Sequence, residues 1–119
     1  VRVKLTLPWP PAELNPNARP HYMRLAKAKK QYRTECALQA MKQGACAIEA
    51  ERLMVHLVFV PPNRKSRDDQ NCMAAMKAGL DGLADVLKVD DGKWTTSYEL
   101  VNDRIGGFVS VEVRANAVT

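Results

Sequence analysis

No run of apolar residues approaches the ~18 that a membrane span needs, and no signal-peptide pattern opens the chain, whose first segment is interrupted at Pro8. Cysteine is scarce and odd in number: Cys36, Cys46 and Cys72. No Cys-x-x-Cys pair or histidine partner accompanies them, which argues against zinc. Reduced thiols in a cytoplasmic protein are expected instead, with most of them acting as small core residues. Internal repeats and low-complexity segments are also lacking. What remains is 119 residues, 46% hydrophobic and 26% charged, which suits one globular domain with its own core. Acid is outnumbered: 18 Lys and Arg face 13 Asp and Glu, for a net charge of +5. That balance favours a polyanionic partner, yet a merely basic protein with no nucleic-acid partner has the same charge.

Hydrophobic period sets the expected elements. Val1 to Leu7 alternates as a half-buried strand, closed by Pro8, Pro10 and Pro11. Trp9, between those prolines, is read as a cap on the core. Glu13 to Pro20 is a polar loop in which Asn15 and Asn17 serve turn geometry or, with Arg19, touch phosphates. Tyr22 to Gln43 is a helix, with Leu25, Ala28, Tyr32, Cys36 and Ala40 recurring at three or four and Gly44 as its stop. Its first half carries Arg24, Lys27, Lys29, Lys30 and Arg33, a candidate phosphate-contact surface. Glu51 to Val60 is almost continuously apolar and fits a central strand, in which His56 is expected to be a hydrogen-bonded structural residue. Trp94 to Leu100 and Phe108 to Val113 read as two strands of an antiparallel hairpin turning at Gly106-Gly107. The order is β-α-β-α-β-β, an α+β domain with helices on a mixed sheet.

The stretch from Arg64 to Trp94 carries the chemistry. Arg64, Lys65 and Arg67 form a basic loop. Asp68 follows in the position of a helix N-cap, with Asp69 and Gln70 in the first turn; capping alone accounts for such an acid. The helix is expected to continue to about Leu87, with Met73, Met76, Leu80, Leu83 and Leu87 on its apolar stripe. Lys77 lies seven residues from Gln70, hence on the same face, and four from Asp81. Asp90-Asp91-Gly92 closes the stretch, either as a turn or as a further pair of carboxylates. Carboxylates gathered beside cations are what metal-assisted phosphodiester hydrolysis requires.

Taken together, Asp68-Asp69-Gln70-Asn71, Lys77, Asp81-Gly82-Leu83 and Asp90-Asp91 resemble the RusA family of Holliday junction endonucleases, small homodimeric enzymes common in prophages. Leu7-Pro8-Trp9-Pro10-Pro11 and Tyr32-Arg33 also match. The family pattern has a second aspartate where this chain has Gln70. The resemblance implies Mg²⁺-dependent cleavage of four-way junctions, with Mn²⁺ as a substitute, by a homodimer acting in DNA recombination and repair. It implies Asp68, Asp91 and Lys77 as catalytic residues, and Asp68, Asp69, Gln70 and Asp91 as metal ligands. Contacts to DNA are implied for Asn15, Asn17, Arg19, Arg24, Lys27, Lys30, Arg33, Arg64, Lys65 and Arg67. The alternative is a branched-DNA binder with little or no cleavage. An unbroken helix from Asp69 to Leu87 would end roughly 27 Å from Asp68. The four residues to Asp91 span at most about 14 Å. On that geometry Asp91 reaches Asp68 only from the second subunit of a dimer; a helix that stops near Leu83 leaves eight residues, which span up to ~28 Å and allow a return within one chain.

Overall fold

The computed structural model describes residues 2–115, so Val1 of the expected first strand lies outside the described residues. Four strands and three helices alternate in the order β1 (Arg2–Pro8), α1 (Tyr22–Lys42), β2 (Leu53–Val60), α2 (Asp69–Ala75), α3 (Lys77–Leu87), β3 (Trp94–Leu100) and β4 (Phe108–Ala115). One-turn 3₁₀ helices stand at Ala12–Leu14 and Asp91–Lys93. The fold is α+β, as the hydrophobic periods indicate.

The sheet runs β1-β4-β2-β3, with β4 antiparallel to both neighbours and β2 parallel to β3. The expected β3–β4 hairpin is therefore not formed. Burial explains the difference. β4 offers Val109, Val111 and Val113, all fully buried, whereas Thr95, Thr96 and Ser97 of β3 are exposed. The apolar strand takes the interior position and the polar one takes the edge. Register then aligns apolar rows across three strands: Leu7–Val109–Phe59, Leu5–Val111–Leu57 and Val3–Val113–Val55. The segment between β3 and β4 crosses the end of β2, where Gly106 and Gly107 donate backbone hydrogen bonds to Pro61 and Val60. Gly107 does so at φ +79°, a conformation that suits glycine.

Alternation along each strand gives the sheet two unlike faces. Leu5, Leu57 and Val111 join Tyr32, Cys36, Leu83 and Leu87 in a single core beneath the helices. The opposite face carries Lys4, Met54 and Arg114, all exposed. His56 lies there too, its Nδ1 2.7 Å from Ser97 Oγ, which is the structural hydrogen bond expected of it. Cys36 and Cys72 are buried and Cys46 is exposed; all three are free.

α1 and α3 pack closely through glycines. A Cβ on Gly79 would stand 2.7 Å from the Tyr32 ring and 2.9 Å from Cys36 Sγ. One on Gly82 would collide with the backbone oxygen of Arg33. Arg33 then locks the pair by donating two hydrogen bonds of 2.8 Å to the Asp85 carboxylate. The expected helix from Asp69 to Leu87 is interrupted at Met76, which ends α2 and begins α3 with ψ −12°. Met76 is fully buried, and its sulfur lies 3.1 Å from the Tyr32 hydroxyl, which donates to Pro8 O at 2.6 Å. Burial pushes the Tyr32 phenol well above its ordinary pKa and the Cys36 thiol up to about 12.

Candidate active site

Asp68 caps α2. Its backbone is extended (φ −97°, ψ 127°), and Oδ1 accepts from the N–H groups of Gln70 at 2.8 Å and Asn71 at 3.3 Å. Both bonds fall on one oxygen, so Oδ2 is left for solvent or a ligand.

Asp91 arrives from the other end of α3. Lys88 adopts the left-handed conformation (φ 60°) and turns the chain at the helix C-terminus. The buried Trp94 ring donates from Nε1 to Val89 O at 3.1 Å, fixing the return. The chain runs back along α3, and Asp91 Oδ2 accepts a hydrogen bond from Lys77 Nζ. Asp81 Oδ1 approaches the same ammonium at 3.3 Å. Lys77 and Asp91 thus meet within one chain. Hydrogen bonding to Asp91 raises the Lys77 pKa, and the reciprocal bond holds the Asp91 carboxyl below the usual carboxylate range. With Lys77 64% and both acids 33% exposed, such pairs contribute little to stability. The fold does not need this convergence of charge.

Two clefts meet here. One, about 410 Å³, is bounded by Glu13, Asn15, Arg19, Lys29, Lys77 and Asp81. The other, about 760 Å³, is bounded by Trp9, Asn15, Asn17, Lys65, Arg67 and Asp68. They share Asn15 and Ala75, forming one groove with Asp68 in one part and Lys77 and Asp81 in the other; Asp91 lines neither cleft and joins the site through Lys77.

Several residues named from sequence fall elsewhere. Arg33 is committed to Asp85, which raises its pKa, and is not offered to the groove. Asp69 and Gln70 are exposed on the first turn of α2 and line neither cleft; the interruption at Met76 also removes the heptad reasoning that put Gln70 on one face with Lys77. Arg24 and Lys27 are exposed on α1 and line neither cleft, and Lys30 borders a separate hollow beside Trp9 and Tyr32. Trp9 does cap the core, edge-on to Phe59 with centroids 6.0 Å apart. It also carries the Arg67 guanidinium at 5.4 Å. Lys29, one of the α1 cations of the candidate phosphate-contact surface though not among the DNA contacts the resemblance implies, lines the groove.

Among the described residues no group of three His, Cys, Asp or Glu is placed to hold a metal ion. The donor chemistry nevertheless suits Mg²⁺, a hard cation that takes carboxylate oxygens. Asp68 and Asp81 each use one oxygen in the contacts above and keep the other.

No family model matches the chain. A protein of Xylella fastidiosa is 36% identical over 118 residues, which cover 97% of this chain and 76% of that protein. The chain belongs to that protein's family. The relative is named only as an uncharacterized protein, so membership of the family brings no activity with it. No helix among the described residues is long and apolar enough to cross a membrane.

Proposed function

We propose that this protein is a metal-dependent endodeoxyribonuclease that cuts branched DNA, the four-way junction above all, and acts as a homodimer. The observation that carries this reading is the meeting of Lys77 with Asp81 and Asp91, solvent-accessible and unneeded for stability, at a groove lined by Lys77, Asp81 and Asp68 and walled by the cations Arg19, Lys29 and Lys65. The resemblance to the RusA family supplies the substrate class and the dimer.

Asp68 and Asp91 would hold Mg²⁺, which when bound supplies Lewis-acid polarisation of the scissile phosphate. The hydrogen bond to Asp91 raises the Lys77 pKa and so favours its charged form. In contact with Asp91 the lysine orients that carboxylate, and it offsets negative charge developing on a phosphoryl oxygen. The α2 N-terminus, with Asp68 as its cap, fixes the first acid by two backbone bonds and limits its rotation. Cations on the walls hold the sugar–phosphate backbone.

A second reading is a junction binder that cuts slowly or not at all. It is favoured by Asp69 and Gln70 lying outside the groove. One experiment separates the two. A synthetic four-way junction and a linear duplex of the same sequence are incubated with protein in Mg²⁺. Nicking of the junction in preference to the duplex, lost in Asp91→Asn while junction binding persists, is expected. Binding without nicking by the wild type leaves the binder; nicking that survives Asp91→Asn discards the assigned site.

A further inference from the structure

A third cleft, about 380 Å³, lies at the end of β2 between the 61–67 loop and the 102–105 loop. Four cations line it, Arg64, Lys65, Arg67 and Arg104, with no carboxylate among the lining residues. It shares Lys65, Ser66 and Arg67 with the cleft that holds Asp68, so the two are continuous.

The cleft is built rather than incidental. Both ends of the 102–105 loop are tied to the end of β2 by backbone hydrogen bonds: Val101 N–H to Phe59 O at 3.1 Å, Gly106 N–H to Pro61 O at 2.8 Å and Gly107 N–H to Val60 O at 2.9 Å. Arg67 shapes one wall from within, donating to Asn63 O, Lys65 O and Asn63 Oδ1 at 2.8–3.1 Å. Its guanidinium is spent on the loop and on Trp9. That leaves Arg64, Lys65 and Arg104 as the cations presented to solvent, and none of them takes part in an ion pair among the described residues. A cleft of one charge sign on a pre-shaped loop concentrates positive potential and calls for an anionic occupant.

We propose that this cleft, with Arg104 as its far wall, binds backbone phosphates of the DNA arm that continues past Asp68. The proposal rests on the reading of the groove as a DNA-cutting site and extends it by a subsite. Length and continuity favour a polyanion over a single anion: a strand lying against Asp68 meets Lys65 and then Arg64 and Arg104 without leaving the surface. Contacts of this kind position the strand and carry no base preference.

The test uses Asp91→Asn protein, which is expected to bind without cutting, and a fluorescent four-way junction titrated over a range of KCl. Adding Arg104→Gln should lower the salt slope by ~0.9 and weaken binding about fivefold near physiological salt. Arg104→Lys should keep most of both, since a phosphate contact needs charge more than shape. Lys42→Gln, at the last residue of α1 and away from the groove, should leave both unchanged. Arg104→Gln binding with the wild-type slope and affinity, on a protein that otherwise binds in a salt-dependent way, overturns the subsite and leaves the groove assignment standing. A wild type with no salt-dependent junction binding removes the groove assignment itself, and the subsite with it.

Discussion

Asp68 has two jobs on this account, and substitution separates them. As a cap it satisfies two helix-start N–H groups through Oδ1. Asp68→Ala returns those donors to water, at a cost of ~1 kcal/mol. It also removes a negative charge from the positive end of α2, worth about 0.5 kcal/mol more. For a domain of this length ~1 kcal/mol corresponds to about 4 °C in melting temperature. Asp68→Ala should therefore melt about 6 °C below wild type. Asn caps as well as Asp, so Asp68→Asn loses only the charge contribution and should fall by about 2 °C. Junction nicking in Mg²⁺ should follow a different order. Asp68→Asn lacks the charged ligand and should be as inactive as Asp68→Ala. Circular dichroism melts and nicking assays on the same preparations give both orders. Wild-type nicking by Asp68→Asn would show that Asp68 is a cap and nothing more. A melt as low as that of Asp68→Ala would show that the cap does not work as described.

Gly82→Ala should lose about 2 kcal/mol in urea titration: overpacking against the α1 backbone at Arg33 costs up to ~3 kcal/mol, and alanine's better helix propensity returns about 1. Gly92→Ala, whose Cβ would meet Asp90 Oδ2 at an ordinary 3.5 Å, should change stability by less than about 0.5 kcal/mol; equal losses at the two sites would refute the packing account. Arg33 holds the Asp85 carboxyl below its ordinary 3.8, so whatever stability the pair contributes is complete above that value and is lost as pH falls through the lower folded-state value. Arg33→Met should thus differ from wild type in urea midpoint at neutral pH and converge with it in acid below Asp85's folded-state pKa, with the junction-binding salt slope unchanged throughout; a reduced slope would return Arg33 to the DNA contacts.

The strands and helices were legible because their periods are clean: Leu5 and Leu7 against Lys4 and Thr6, and Ala28, Tyr32, Cys36 and Ala40 one helical turn apart. Sheet order was less so. The seven residues between β3 and β4 carry Asn, Asp and two glycines, the composition of a hairpin turn, and local turn chemistry does not say which strand lies next door. Comparing Val109, Val111 and Val113 with Thr95, Thr96 and Ser97 would have assigned interior and edge. The interruption at Met76 leaves no local mark, since no glycine or proline stands there. It coincides with a tertiary contact, the Tyr32 hydroxyl beside a buried sulfur. At the site, the acids and Lys77 were named through the RusA resemblance, since spacing alone also fits a helix cap, a surface i,i+4 pair and a turn, while the commitment of Arg33 to Asp85 depended on which helices touch.

The interior place of β4 has a consequence for how the chain reaches its fold. β4 is made after every other strand and helix described here, yet it hydrogen-bonds to both β1 and β2, pairing Arg2 with Arg114 more than a hundred positions away. On the ribosome, β1 has no partner strand until β4 emerges, and its Leu5 and Leu7 lack the Val111 and Val109 that stand beside them in the finished sheet. The β2–β3 pair and the α1–α3 contact can form sooner. Sheet closure then waits on the most distant contacts in the chain, which slows folding relative to a helical protein of the same length. Until that moment β1 and the open edge of β2 offer unpaired backbone to any other strand, so aggregation competes with synthesis and not with the finished protein.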